Sequence, residues 1–293
     1  MTLSIQGLRK TFGDHVAVKE LSLTLQKGEV LGLLGRNGAG KTTTIKMILG
    51  LLKPNGGHIQ WEGETLNREK IQIGYLPEER GLYPKSKVWE QLFYFGKLEG
   101  MKKKELHERI DFWLKRFDIE EYRNKLAGEL SKGNQQKVQL IITLLHNPDL
   151  IILDEPFSGL DPVNATMLSE VITELIQQKK TIILSSHRME QIELFCQNII
   201  MMKKGETVVQ GTINEVKESY GYKNLTINTF VPLYKEIQEN LAEGQVEGTT
   251  FKQKVKSEKE ASAILNEIKQ KQEIKTFTLL EPTLHEIFVE RVN

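Results

Sequence analysis

The octapeptide GRNGAGKT at residues 35–42 constrains this 293-residue chain more than any other feature. It follows an apolar run, Glu29-Val-Leu-Gly-Leu-Leu, and leads into a helical pattern over residues 41–52. A continuous apolar strand, a glycine turn and a helix are how a buried parallel βα unit looks in sequence. Gly35, Gly38 and Gly40 let backbone N–H groups curl around an anion, and the helix N-terminus adds aligned donors. The spacing G-x-x-x-x-G-K-[ST] therefore predicts a phosphate-holding loop. Asn37 and Thr43 belong to its wall, Lys41 can reach β- and γ-phosphates, and the Thr42 hydroxyl can ligate Mg2+.

Such a loop needs a carboxylate from a neighbouring strand. Residues 150–156, LIILDEP, supply one 113 residues beyond Lys41. Asp154 falls where the strand ends, placed to hold Mg2+, and Glu155 is a candidate base for an attacking water. A third buried strand, residues 181–184, ends in Ser185-Ser186-His187. Gly35, Asp154 and His187 thus share the carboxyl edge of a predicted parallel sheet, where open α/β sheets bind ligands. Leu130-Ser131-Lys132-Gly133-Asn134 opens another helical run. Ser131 reads there as an N-cap, and Ser131, the Gly133 N–H and the positive helix end can together grip an anion.

Composition narrows the partners. Forty Lys plus Arg against 39 Asp plus Glu leave a formal charge of +1, which gives no broad field to hold a polyanion. Nucleic acid is therefore not an expected partner. The lone cysteine, Cys196, excludes an intramolecular disulfide and reads as a small buried hydrophobe. The first residues, MTLSIQGLRKTFGD, lack the apolar core of a signal peptide, and no apolar run nears the roughly 18 residues that cross a bilayer. Any membrane role is expected through a partner.

Two domains are expected at this length. Residues 1–215 read as an α/β nucleotide-binding domain, with a helical insertion at about 80–148. There Trp89, Leu92, Phe93 and Phe95, then Leu106, Ile110, Trp113, Leu114 and Phe117, recur at helical spacing. Residues 216–293 read as a small α+β appendage. Its predicted strands are 225–230, 250–255 and 274–280, and its predicted helices 233–241, 258–271 and 283–292, a string compatible with a ferredoxin-like arrangement.

Taken in order, these motifs resemble the nucleotide-binding subunit of ABC transporters over residues 1 to about 215. The resemblance makes Phe12 the adenine-stacking aromatic, GRNGAGKT the Walker A loop and Tyr75-Leu-Pro-Glu78 the Q-loop. It makes LSKGNQQ the signature, LIILDEP Walker B, Ser158-Gly-Leu-Asp161 the D-loop and His187 the switch histidine. GYLPEERGLYP, LSKGNQQKVQ and the closing EPTLHEIFVERV are similar to ATPases of ABC-2 type exporters of the sodium-export and Ecs-like group. The expected fold is a P-loop NTPase core with an antiparallel β subdomain and a helical insertion, plus the small C-terminal α+β domain. Four positions depart from the family pattern: Glu78 replaces a glutamine, Lys132 and Asn134 replace the signature's glycine and glutamine, and Phe12 replaces a tyrosine.

The resemblance implies an ATPase with ATP and Mg2+ as ligands, two cassettes packed head to tail, and Ser131 and Gly133 acting on the partner's nucleotide. The second cassette is a homodimer mate or a close paralogue. An integral membrane permease would hold the protein peripherally at the cytoplasmic face of the membrane. The loop 78–83 and the insertion either form the groove for that permease or simply pack together. A soluble ABC ATPase with a regulatory, non-transport role is the alternative.

Overall fold

The computed structural model describes residues 2–68, 70–79, 81–234, 241 and 243–292. It divides into two compact units, Met1–Gly211 and Thr212–Arg291.

The first unit carries two sheets. β1 (Leu3–Phe12) and β2 (His15–Leu25) form an antiparallel hairpin, extended by β4 (Gly56–Trp61) and β5 (Glu64–Thr65) in the order β2-β1-β4-β5. The second sheet contains β3 (Val30–Gly35), β6 (Ile73–Leu76), β7 (Leu150–Asp154), β8 (Thr181–Ser186), β9 (Asn198–Lys203) and β10 (Glu206–Thr212), ordered β10-β9-β3-β8-β7-β6. The pairings β9-β3, β3-β8, β8-β7 and β7-β6 are parallel. All residues of β3, β7 and β8 are buried, as unbroken apolar strands covered on both faces must be. The sequence pointed to these three. β6 is only four residues long and contains a glycine, and β9 passed unnoticed as NIIMMK, so the sheet is twice as wide as the apolar runs alone indicated.

Helix α1 (Lys41–Ile48) follows β3. Its Ile45, Met47 and Ile48 share one core cluster with Leu3, Ile5 and Leu8 of β1, Leu21, Leu23 and Leu25 of β2, and Leu31 and Leu33 of β3. The helix is thereby clamped by side chains from both sheets.

Between β6 and β7 run α2 (Val88–Leu98), α3 (Lys103–Arg116) and α4 (Lys132–Leu144). On α3, Leu106, Ile110, Trp113 and Leu114 are buried, as their spacing predicts. On α2, Leu92 is buried, while Trp89, Phe93 and Phe95 are only half-buried. After β7 come α5 (Pro162–Gln177) and, after β8, α6 (Met189–Phe195). Cys196 is buried, and burial drives its thiol pKa upward.

The second unit opens with α7 (Ile213–Glu218). It contains β11 (Lys223–Thr229), β12 (Gln245–Glu247), β13 (Thr250–Val255), α8 (Glu258–Lys271), β14 (Ile274–Leu280) and α9 (Leu284–Val292). Its antiparallel sheet runs β12-β13-β11-β14, the strand order of a ferredoxin-like sheet. Leu225, Ile227, Phe251 and Val255 pack against Ala261, Ile264 and Ile268 of α8. The short strand β12 was not foreseen. Most of the predicted helix 233–241 lies outside the described residues.

Among the described residues no helix is long and apolar enough to cross a membrane.

Candidate functional site

The site grows from the end of β3. Gly35 has φ 155°, and a Cβ there would stand 2.7 Å from the Met202 carbonyl oxygen. Gly40 has φ 109°, and a Cβ would stand 2.5 Å from the Ala17 carbonyl oxygen. Only glycine satisfies both backbones. Gly40 is also the N-cap of α1, so no side chain competes for the first N–H groups of that helix. They are left to an anion.

Above this loop lies a cavity of 260 Å³. Its walls are Phe12, His15, Ala17, residues 36–43, Glu78 and Asp154. Thus Phe12, Asn37, Gly38, Gly40, Lys41, Thr42, Thr43, Glu78 and Asp154, all singled out from sequence, meet at one place. Phe12 is half exposed, with the Lys10 ammonium 5.2 Å from its ring centroid.

The polar network beneath the cavity is dense. The Lys41 ammonium donates to the Gly35 carbonyl at 2.7 Å and stands 3.7 Å from Glu155 Oε1. The Thr42 hydroxyl donates to Asp154 Oδ2 at 3.2 Å. The Ser185 hydroxyl donates to Asp154 Oδ1, and Ser185 accepts the Glu155 N–H at its carbonyl, 3.1 Å, and its hydroxyl, 3.3 Å. His187 Nδ1 lies 2.8 Å from Glu155 Oε2. An ionised carboxylate can only accept, so Nδ1 carries the proton and donates. Glu155 Oε1 is buried with no hydrogen-bond partner among the described residues.

Charge in the cavity is felt nearby. The Tyr75 phenol is pushed up to about 12, first by burial and then by the negative charges of Asp154 and Glu78.

Ser131 and Gly133 do not line this cavity. They sit at the start of α4, where Ser131 Oγ accepts the Asn134 N–H at 3.3 Å. His15, Ala17, Arg36 and Ser185 were not named as site residues from sequence. His15 had a detectable signal, since it is the register partner of Phe12 across the β1-β2 turn. Ser185 had none beyond its place at a strand end.

This sheet, loop and carboxylate edge define a P-loop NTPase, and comparison with known proteins narrows the class. Residues 18–158 match the ABC transporter family, and residues 211–292 match the C-terminal domain of DrrA1-3-like ATP-binding proteins. YhaQ of Bacillus subtilis (strain 168), an uncharacterized ABC transporter ATP-binding protein, is 47% identical over 99% of this chain and 98% of its own. The ABC transporter ATP-binding protein NatA of the same organism is 42% identical over 69% of this chain and 85% of its own. The Nod factor export ATP-binding protein I of Burkholderia lata is 35% identical over 74% of this chain and 73% of its own. A solved ATP-binding subunit of an ABC transporter superposes with a TM-score of 0.70 at 31% identity, covering 75% of this chain and 94% of that one. The chain belongs to the ATP-binding subunits of ABC transporters, the cassettes that hydrolyse ATP to drive transport. Cassettes of this family dimerise and work with membrane permease subunits.

Proposed function

We propose that this chain binds ATP at residues 35–43, hydrolyses it with Glu155, and powers an ABC-2 type exporter through a separate permease. One observation carries the reading. Lys41, Thr42, Asp154, Glu155 and His187 are brought together by β3, β7, β8 and their loops, whereas Ser131 and Gly133 stand apart from them. Such a site is half built, and a second cassette supplying its own Ser131 and Gly133 would complete it.

The groups present suit Mg2+ as the ATP counter-ion. A hydroxyl and a carboxylate, Thr42 and Asp154, converge, and among the described residues no three His, Cys, Asp or Glu side chains form a metal cluster. Mg2+ commonly takes one or two protein oxygens and fills its shell with phosphate oxygens and water. Bound there, it would neutralise charge on the β- and γ-oxygens. Glu78, on the cavity wall, is the third candidate ligand.

The chain's own groups then divide the work. Lys41 and the N–H groups of the loop hold the phosphates. Phe12 offers a face for the base to stack on. Glu155 has one oxygen held by His187, and the other, paired at 3.7 Å with the Lys41 ammonium, would take a proton from the attacking water once Lys41 turns to the phosphates. His187 holds that carboxylate in place and, from the carboxyl edge of the sheet, would contact the γ-phosphate. Asp161 shapes the surface that meets the second cassette.

The exporter assignment rests on the Nod factor export relative. Docking to a permease is supported by a groove of 370 Å³ lined by Tyr83, Ser86, Glu90, Gln91 and Tyr94. Both tyrosines are more than half exposed, and buried Gln91 clamps the groove's rim through Tyr83 and Ser86. Through that groove the cassette would sit at the cytoplasmic face of the membrane.

The decisive variant is Glu155→Gln. It should retain ATP binding, lose turnover and trap an ATP-bound dimer visible by light scattering. Turnover near wild type would remove Glu155 from the mechanism.

A further inference from the structure

Two segments of this cassette, the start of α4 and the aspartate turn before α5, meet at one side chain that no motif includes. Asn164 is the third residue of α5, and Asp161 is the N-cap of that helix. An N-cap aspartate ordinarily satisfies one backbone N–H and leaves its second oxygen to solvent. Here both oxygens are taken by Asn164. Its backbone N–H donates to Asp161 Oδ1 at 2.9 Å, and its side-chain amide donates to Oδ2 at 2.5 Å. These bonds hold the Asp161 carboxyl below its usual range, the backbone donor being the larger cause.

The same amide lies close beside the first turn of α4. A Cβ built on Gly133 would lie 2.6 Å from Asn164 Nδ2 and 3.3 Å from its Cγ. Asn164 therefore occupies the space where any side chain at position 133 would go. Gly133 is buried, and its N–H is one of the first-turn donors of α4. A hydrogen bond ties α4 to the strand end nearby, where the Gln136 side-chain amide donates to the Pro156 carbonyl, one residue past Glu155.

We propose that Asn164 is a positioning residue. It locks the Asp161 turn to the first turn of α4, so that Asp161, Ser131 and Gly133 meet the opposing cassette as one rigid edge. This rests on the two-cassette reading above. Gly133 then has two reasons to be glycine: access of the phosphate to its N–H, and room for Asn164. An edge displaced by even 1 Å would cost turnover on the order of a hundredfold.

The test compares full-length wild type, Asn164→Ala, Gly133→Ala and the double variant. Steady-state ATP hydrolysis, affinity for a fluorescent ATP analogue and melting temperature are measured for each. ATP-dependent dimerisation is read with Glu155→Gln added. Asn164→Ala should keep analogue affinity within about twofold while kcat falls at least roughly tenfold with little change in KM, a split that loss of fold does not produce. Gly133→Ala should cost far more in the presence of Asn164 than in its absence, because the clash is with that side chain. Equal cost of Gly133→Ala in both backgrounds, or wild-type kcat in Asn164→Ala, overturns the proposal. If Glu155→Gln alone stays monomeric with ATP, the two-cassette reading fails and takes the interface role of Asn164 with it. If that protein dimerises normally while Asn164→Ala turns over like wild type, only the role of Asn164 falls.

Discussion

Glu155 sits at φ 50°, a left-handed conformation that costs a non-glycine residue about 1 kcal/mol or more. The strain is held by Ser185, which accepts the Glu155 N–H and also donates to Asp154. One buried hydroxyl thus orients both acids of the site. Ser185→Ala should destabilise the chain by about 1–3 kcal/mol, the usual cost of leaving buried polar groups unpaired, and should lower ATP turnover as well. Denaturant melts and steady-state assays read the two effects. Stability loss with full turnover would separate Ser185 from the chemistry. None of this was legible in the sequence: a serine at the end of an apolar strand carries no mark of which carboxylate it will meet. Lys41, Thr42 and Asp154 were legible because a phosphate loop permits few residue types at fixed spacing, and that spacing survives in one dimension. A second prediction concerns His146, whose pKa is lowered from 6.5 chiefly by burial, with Glu99, Arg109 and Arg68 as its charged neighbours. The unfolded chain binds a proton there at a pH where the folded chain does not. Stability from this group is therefore complete above pH 6.5 and declines as pH falls below it. His146→Leu should flatten the pH dependence of unfolding between about pH 6.5 and pH 5, above the range where carboxylates titrate. Equal slopes in the two proteins would assign the acid loss elsewhere.

At the scale of elements, α4 connects most of what matters. Its first turn carries Ser131 and Gly133, and Gln136 reaches the Walker B segment. Further along, Gln139 donates to the Glu79 carbonyl at 3.5 Å and Thr143 to the Tyr75 carbonyl at 3.1 Å, on either side of Glu78. The helix has no basic residue in its own last turn. Arg109 of α3 takes that place, donating to the carbonyls of Leu145 at 3.1 Å and Leu144 at 3.3 Å. A cation on the last carbonyls satisfies orphan acceptors and the negative end of the dipole. Arg109→Ala should therefore destabilise the insertion by about 1 kcal/mol, seen as a lower denaturation midpoint at unchanged slope, and Arg109→Lys should recover part of it. No loss in Arg109→Ala would mean that water caps α4 equally well. Helical periodicity revealed α3, because Leu106, Ile110, Trp113 and Leu114 bury a regular stripe. It could not reveal β6 or β12, since four and three residues are too few for a period to show.

For the molecule as a whole, the ordered motifs carried more than any one of them. Walker A, signature, Walker B and His187 follow one another in the chain, yet the signature's Ser131 and Gly133 do not line the cavity that Walker A and Asp154 share, while His187 joins the site through Glu155. That separation is invisible in a linear string, where Ser131 lies closer to Asp154 in number than Lys41 does. The second unit was legible as strands and helices, but its purpose was not, because a small α+β sheet carries no chemistry of its own. The proposed two-chain site has a kinetic consequence that needs no permease. If Ser131 and Gly133 complete the site of another copy, hydrolysis per chain follows the fraction of chains that are paired. At concentrations well below the pairing midpoint, that fraction is proportional to total protein, so activity per chain should rise about linearly and level off once pairing is complete. Dilution should reverse it, and catalytically dead Glu155→Gln chains with intact Ser131 and Gly133 should rescue activity in a dilute sample of wild type. Activity per chain that stays constant on dilution to the point where light scattering shows only monomers would mean that one chain completes its own site.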